Sequence, residues 1–132
     1  NPLRVNEDGS LLLTAPVPEG AEVRLMIGSK EKALAAVHDA AADLIEHFRR
    51  SRAALKLVVM FESVSRKKLL ADAIKDEASA VLEMVGRDTP LLGVASFGEF
   101  APPVRDVRKT TYEPSQFHNG TITMVGIGAA HL

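Results

Sequence analysis

The hydrophobic pattern of the chain changes period several times, and each change predicts a new element. Two short apolar runs flank Asp8-Gly9, a turn signal that indicates an opening β-hairpin. Residues 22–28 then alternate between polar and apolar side chains, which predicts a strand with one buried face. Ser29 is a good N-cap residue, and apolar side chains recur at helical spacing from there to Phe48, so a helix is predicted.

The second half of the chain repeats the alternation of strand and helix. Residues 55–61 are almost uninterruptedly apolar, which is typical of a central strand covered on both faces. A second helical stripe runs over residues 70–85, with Gly86 as a natural stop, and further strands are predicted at 90–97 and 121–128. Strand–helix–strand units cross over right-handed and give parallel pairings. We therefore predict an α/β fold: a mixed sheet of about six strands with two helices packed on it, an N-terminal hairpin and a C-terminal antiparallel strand.

Composition narrows the class of protein. The 132 residues fit one domain, 1–132, and the formal net charge of -1 argues against a nucleic-acid partner. The sequence has no apolar run near the ~20 residues that cross a bilayer, and no signal peptide, so we expect no membrane partner. The absence of cysteine excludes disulfides and thiolate metal sites and is compatible with the cytoplasm, where we expect the protein. Because the first residue is Asn1 and not methionine, we also expect a piece excised from a longer protein.

Candidate chemistry gathers where strands end or begin. Ligands of open α/β sheets tend to bind beyond the carboxyl ends of strands. Residues 62–66 follow the central strand, 96–100 follow its expected neighbour, and 117–119 precede the last strand. If the last two strands are antiparallel neighbours, one sheet edge presents four polar side chains: Arg66, Glu99, His118 and Asn119.

Each of these residues also has a simpler interpretation. Arg66 offers a fork of donors for a carboxylate or phosphate at a helix start, but it also fits a solvated basic turn. Glu99 follows Gly98, whose missing side chain lets the backbone approach something closely; a surface glutamate at a turn is the alternative. On residue chemistry alone, Asn119-Gly120 is first of all a good turn. The serines lack a nucleophile elbow and the histidines lack a metal-pair spacing, so no catalytic serine and no metal site are predicted.

Four segments together resemble the C-terminal domain of the FIST family. They are residues 1–28, LVVMFESVSR, PLLGVASFGEFAP and FHNGT, in this order over almost the whole chain. The resemblance implies most of a FIST C-terminal domain and an intracellular sensory module that binds a small ligand, with amino acids as proposed ligands. It also implies two partners, the missing N-terminal FIST domain and a downstream signalling domain or protein. The ligand-binding positions that it implies are Arg66, Phe97, Gly98, Glu99, Phe117, His118 and Asn119.

The chain departs from the family pattern in three places. Ser63 stands where the family often has cysteine, so a thiol role is absent. Val94 and Ala95 replace the usual aromatic pair, which would widen or flatten a pocket. Some family members are haem-containing nitric-oxide sensors. His118 is the one histidine expected near the cleft, and its neighbours are polar or small, so we expect no cofactor here and haem only in the longer protein.

Two functions from other classes stay open. One is a small enzyme that uses Glu99 and His118 as an acid–base pair. The other is a protein-interaction domain, related to the F-box branch of the family, whose opening hairpin docks on a neighbour. We expect that hairpin to leave an unpaired edge or an exposed apolar strip. We also expect a loop over 102–116 to join the two sides of the ligand site, with Tyr112 exposed in it.

Overall fold

The computed structural model describes residues 2–24, 27–102 and 114–130. Most of the predicted loop, including Tyr112, lies outside these residues. The elements in chain order are β1 (Pro2–Val5), β2 (Leu11–Leu13), α1 (Lys30–Ser51), β3 (Ala53–Ser63), α2 (Val64–Leu70), α3 (Ile74–Val85), β4 (Leu91–Ser96), β5 (Glu99–Ala101), β6 (Gln116–His118) and β7 (Ile122–Ala130). A single 3₁₀ turn, Ala71–Ala73, joins α2 to α3. The predicted α/β class, the opening hairpin and the antiparallel last strand are confirmed.

The described strands are divided among three sheets. β3 is the centre of a three-stranded sheet of order β4-β3-β7, parallel to β4 and antiparallel to β7. β1 and β2 form the hairpin, and β5 and β6 form a second antiparallel pair, called the ribbon below. The strand predicted at 22–28 is not formed over 22–24 or 27–28; Leu25 and Met26 lie outside the description. Val23 and Ile27 are exposed, so these side chains do not pack in the core. Residues 22–24 and 27–28 also pair with none of the described strands.

Helix α1 begins where its sequence signal predicts. The Ser29 hydroxyl accepts a hydrogen bond from the Lys32 N–H at 3.2 Å, which satisfies one of the free donors of the first turn. The helix ends at Arg52, which adopts a left-handed conformation with φ 51°. Three small or branched residues on one side of α1 are buried: Ala33, Val37 and Ala41. This narrow face lets the helix pack closely on the sheet.

The second predicted helix is interrupted. Ala71 has φ 51° and ψ -116°, so the chain leaves the helical conformation there before α3 starts. Alanine is a good helix former, and its sequence position gives no sign of this break. The two short helices each bury polar and apolar side chains: Arg66 and Leu70 from α2, and Glu77, Ala80 and Val81 from α3.

The helices cover one face of the three-stranded sheet. Val58 and Met60 of β3 point to this face and pack with Val37, Ala80 and Val81. The opposite face, called the open face below, carries the alternate residues of each strand. On this face the two edge strands, β4 and β7, carry exposed apolar side chains: Leu92, Val94, Val125 and Ile127. Coverage of β3 by helices on both faces, as its apolar run predicted, is not found in the described part of the chain, since both α1 and α3 lie on one side.

The hairpin stands apart from this core. Its apolar side chains are exposed: Leu3, Val5, Leu11 and Leu12. Its extensive contacts are between its own two strands. The exposed apolar strip expected from the sequence is therefore present. No helix in the described ranges is long and apolar enough to cross a membrane.

Candidate functional site

A small cleft lies where the ribbon meets the open face. Its volume is about 230 Å³, and it is lined by Phe61, Gly98, Glu99, Phe100 and Thr123. Phe61 of β3 pairs with Thr123 of β7, and Gly98, Glu99 and Phe100 lie at the start of the first ribbon strand, β5. The cleft thus lies near the carboxyl ends of the parallel strands β3 and β4, which is the usual place for a ligand in an open sheet.

Glu99 is the charged residue of the cleft. It is 3% exposed, and each carboxylate oxygen accepts a hydrogen bond from a hydroxyl. Ser96 Oγ donates to Oε1 at 2.7 Å, and Thr121 Oγ1 donates to Oε2 at 2.8 Å. Each oxygen has a second lone-pair site. Among the described residues no cationic side chain forms an ion pair with Glu99.

The structure brings His118 to the same ribbon position as Glu99. The two residues are Cα partners in the β5–β6 register, so their side chains share one face. His118 Nε2 is 3.1 Å from the Ala101 carbonyl, and a carbonyl oxygen can only accept, so Nε2 carries the proton in this contact. The imidazole therefore donates its hydrogen bond to the backbone of β5 and not to the Glu99 carboxylate. The sequence analysis expected Glu99 and His118 to meet if the last two strands were antiparallel neighbours. That arrangement is wrong, since β3 lies between β4 and β7, and the two residues are brought together by the ribbon instead.

Asn119 and Ser63 connect the ribbon to the end of β3. Ser63 is fully buried, and its Oγ accepts the Gly120 N–H at 3.1 Å. The same hydroxyl lies 3.0 Å from Ser65 Oγ and donates to Asn119 Oδ1 at a long 3.5 Å. Gly120 has φ +80°, which matches the turn expected at Asn119-Gly120. The hydroxyl that stands where the family often has a thiol therefore positions the turn before β7.

Aromatic rings surround the cleft entrance. Phe117 packs on Phe100 with ring centroids 5.2 Å apart, and both remain largely exposed. A Cβ added at Gly98 would collide with the Phe117 ring. Glycine is thus required there for the close approach of backbone and ring, as its position in the sequence suggested. Phe97 is 85% exposed.

Arg66 is placed differently from what the sequence suggested. Its Nε donates to Glu77 Oε1 at 3.0 Å, and its Nη2 donates to the Ala33 carbonyl at 2.8 Å and to Glu77 Oε1. Both partners of this ion pair are buried, between α1, α2 and α3. The guanidinium was expected at the sheet edge beside Glu99. Here it is neutralised by Glu77 within the helical layer.

A second carboxyl group joins this buried pair. Burial raises the pKa of Glu62 to about 7, and the negative charge of Glu77 and a hydrogen bond to it add to the rise. The cations Arg66 and Lys67 act in the opposite direction. Glu77 Oε2 is buried without a hydrogen-bond partner in the described structure.

Sequence reasoning missed this carboxyl pair. Glu77 lies three residues after Ile74 and four before Val81, so helical spacing already placed it on the buried stripe of α3. The signal was therefore a charged residue at an apolar position. No group of three or more histidine or acidic side chains within the described ranges is arranged to hold a metal ion.

The family assignment comes from comparison with known proteins. The chain matches the FIST C domain over residues 1–102 of its 132, a stretch that ends just after β5. Comparison with curated proteins and with solved structures found no significant match. The match covers most of the chain and includes both the strand-end motif of β3 and the Gly98-Glu99 segment. The chain therefore belongs to the FIST C domain family, whose members are sensory-type domains of signal-transduction proteins.

Proposed function

We propose that this chain is a sensory domain that binds a small ligand with an amino group, and that the cleft under the ribbon is its ligand site. The observation that carries the proposal is Glu99: a residue of the cleft lining that is 3% exposed and whose carboxylate has hydroxyl partners but no described cation. Burial of a charge without an opposite charge is costly. A ligand ammonium would supply the opposite charge and use the free lone-pair sites of the carboxylate.

The size of the cleft supports a small ligand. Drug-sized pockets are about 300–1,000 Å³, and this cleft of about 230 Å³ suits a molecule of the size of an amino acid. We propose that Gly98 and Glu99 contact the ligand directly, and that Phe117, His118 and Asn119 form the opposite side of the entrance together with the exposed Phe97. Arg66 is left out of this set because its guanidinium already binds Glu77 and the Ala33 carbonyl.

The remaining expectations concern the cellular context of the domain. We propose that the domain acts in the cytoplasm without a cofactor of its own, next to an N-terminal FIST domain, and that ligand binding is passed to a downstream signalling domain. An enzymatic role is less supported. Glu99 and His118 lie opposite each other, but their polar atoms bind hydroxyls and a backbone carbonyl and not each other.

Calorimetry of an amino-acid and amine panel tests the ligand site. A charge-assisted hydrogen bond is worth roughly 1.5–3 kcal/mol, so Glu99→Gln should weaken binding by about tenfold or more. Glu83→Gln, an exposed glutamate of α3, is the matched control and should bind like the wild type. A panel ligand whose affinity is the same in the wild type and in folded Glu99→Gln protein would contradict the proposal.

The exposed hairpin supports a second role, as a docking surface for a neighbouring domain. Four apolar side chains are exposed on its two short strands, where they stabilise nothing else in the described chain. Hydrogen exchange over residues 2–14 measures this directly. Rapid exchange in this chain, and protection in the longer protein, is the expected result; equal protection in both would contradict a docking role.

A further inference from the structure

We infer that the cleft selects organic cations that lack a carboxylate, namely amines with a compact apolar body, over zwitterionic amino acids. The inference rests on the proposed function, because it concerns the same cleft and the same carboxylate. It differs in the ligand class that it names. The resemblance to the family implies amino acids, whereas the chemistry of the described lining residues fits their ammonium half and offers no cation for their carboxylate.

The charges that line the cleft carry the first step. Of its described lining residues, Glu99 is charged and the others are two phenylalanines, a glycine and a threonine. A zwitterion would place its own carboxylate within a few ångströms of Glu99, where like charges repel each other. It would also remove that carboxylate from water without an arginine or lysine on the described lining to receive it.

The arginine that would have received the carboxylate has another partner. Arg66 is 5% exposed and directs its donors to Glu77 and to the Ala33 carbonyl. Release of the guanidinium toward a ligand would leave Glu77, which is fully buried, without its cation. Such an uncompensated buried charge is strongly unfavourable. The ion pair thus opposes the use of Arg66 as a ligand group.

The aromatic side chains carry the second step. Phe61 and Phe100 are both residues of the cleft lining. Phe100 follows Glu99 in β5, so its ring, on which Phe117 packs at a centroid distance of 5.2 Å, lies on the ribbon face opposite the Glu99 carboxylate. The face of an aromatic ring attracts an ammonium group, and ring and alkyl surfaces exclude water together. An amine can therefore place its charged head near the carboxylate and its apolar body against Phe61, on the open face of the sheet.

Matched ligand pairs test this inference by calorimetry on the full chain near pH 7. Leucine is compared with isopentylamine, and phenylalanine with 2-phenylethylamine, since the members of each pair differ in the carboxylate alone. The amine of a pair should bind at least tenfold more tightly than its amino acid. Leucine methyl ester, which keeps the amine and masks the carboxylate, should bind like the amine.

Two variants connect the preference to the named residues. Glu99→Gln should weaken amine binding at least tenfold, and Phe61→Leu should weaken it several-fold while circular dichroism shows an unchanged fold. Tighter binding of an amino acid than of its amine overturns the inference and leaves the proposed ligand site intact. Absence of binding by every member of the panel, or affinities that Glu99→Gln does not change, overturns the proposed ligand site as well.

Discussion

Replacement of Arg66 by methionine separates a structural role of this arginine from a role in ligand binding. The side chain of Arg66 is 6% exposed and that of Glu77 is not exposed at all. Methionine has a similar length and fills most of the space, but it offers no donor. Glu77 would then be a buried carboxylate without a cation, and the Ala33 carbonyl would lose its donor.

The expected loss of stability is large. Removal of one partner of a buried ion pair costs roughly 3–5 kcal/mol. The loss has an upper limit, because the unpaired carboxylate can take up a proton instead of staying charged. For an ordinary glutamate at pH 7 this protonation costs about 4 kcal/mol. For a chain of 132 residues, an unfolding entropy of roughly 2 cal/mol/K per residue converts this loss to a fall in Tm of roughly 10–20 °C.

Thermal and urea unfolding of three variants measures the effect. Arg66→Met should show the full loss at pH 7 and a smaller loss near pH 5, where protonation of the carboxyl is easier. The double variant R66M/E77M should recover most of the stability, because an apolar pair replaces the whole ion pair. Arg87→Met, which removes an exposed pair with Glu83, should unfold like the wild type.

The reasoning is refuted if Arg66→Met is as stable as Arg87→Met, or if the double variant is no more stable than the single one. A second readout concerns the ligand. Folded Arg66→Met protein, studied below its Tm, should bind the amine panel with the affinity of the wild type. A stable variant that has lost binding would instead show that Arg66 serves the ligand.

Three further predictions concern single side chains. Gly98→Ala should weaken ligand binding with little change in Tm, because the new methyl group pushes the exposed Phe117 ring aside, whereas Gly93→Ala, whose Cβ meets its nearest atom at an ordinary 3.6 Å, should change neither. The raised pKa of Glu62 means that the folded protein holds this proton more tightly than the unfolded chain, so the free energy of unfolding should fall as pH rises from about 4.5 to about 7. Urea unfolding at pH 5 and pH 8 should show this fall. If Glu62→Gln protein shows the same fall, Glu62 is not the group responsible. Ser63→Ala removes the acceptor of the half-buried Gly120 N–H and should cost roughly 1 kcal/mol in urea unfolding; a value near zero would mean that another acceptor replaces the hydroxyl.

The local sequence pattern predicted an element correctly wherever that element depends on residues close together in the chain. The capped start of α1, the apolar run of β3 and the turn at Asn119-Gly120 all follow from side chains close in sequence. Motif order was enough to identify the family. Glu99 and His118 meet for a reason that was not predicted: they pair in the short strands β5 and β6, whereas the last two predicted strands, β4 and β7, are separated by β3.

Prediction failed where a residue depends on a distant partner. The alternating residues 22–28 have the pattern of a strand, but a strand forms only when another strand pairs with it. The helix breaks at Ala71 although alanine favours helix, since packing of two separate helices outweighs the propensity of one residue.

The sequence by itself therefore determined the fold class, the family and two residues that the structure places in the cleft lining, Gly98 and Glu99, because these depend on hydrophobic periodicity, turn chemistry and motif order. The tertiary structure alone decided the charge of the cleft. Arg66 and Glu99 are both charged residues near strand ends in the sequence, but three-dimensional packing gave Arg66 a buried partner in Glu77 and gave Glu99, within the described part of the chain, two hydroxyl partners. An ion pair depends on distances between side chains that lie far apart along the chain, and only the packed helices set those distances.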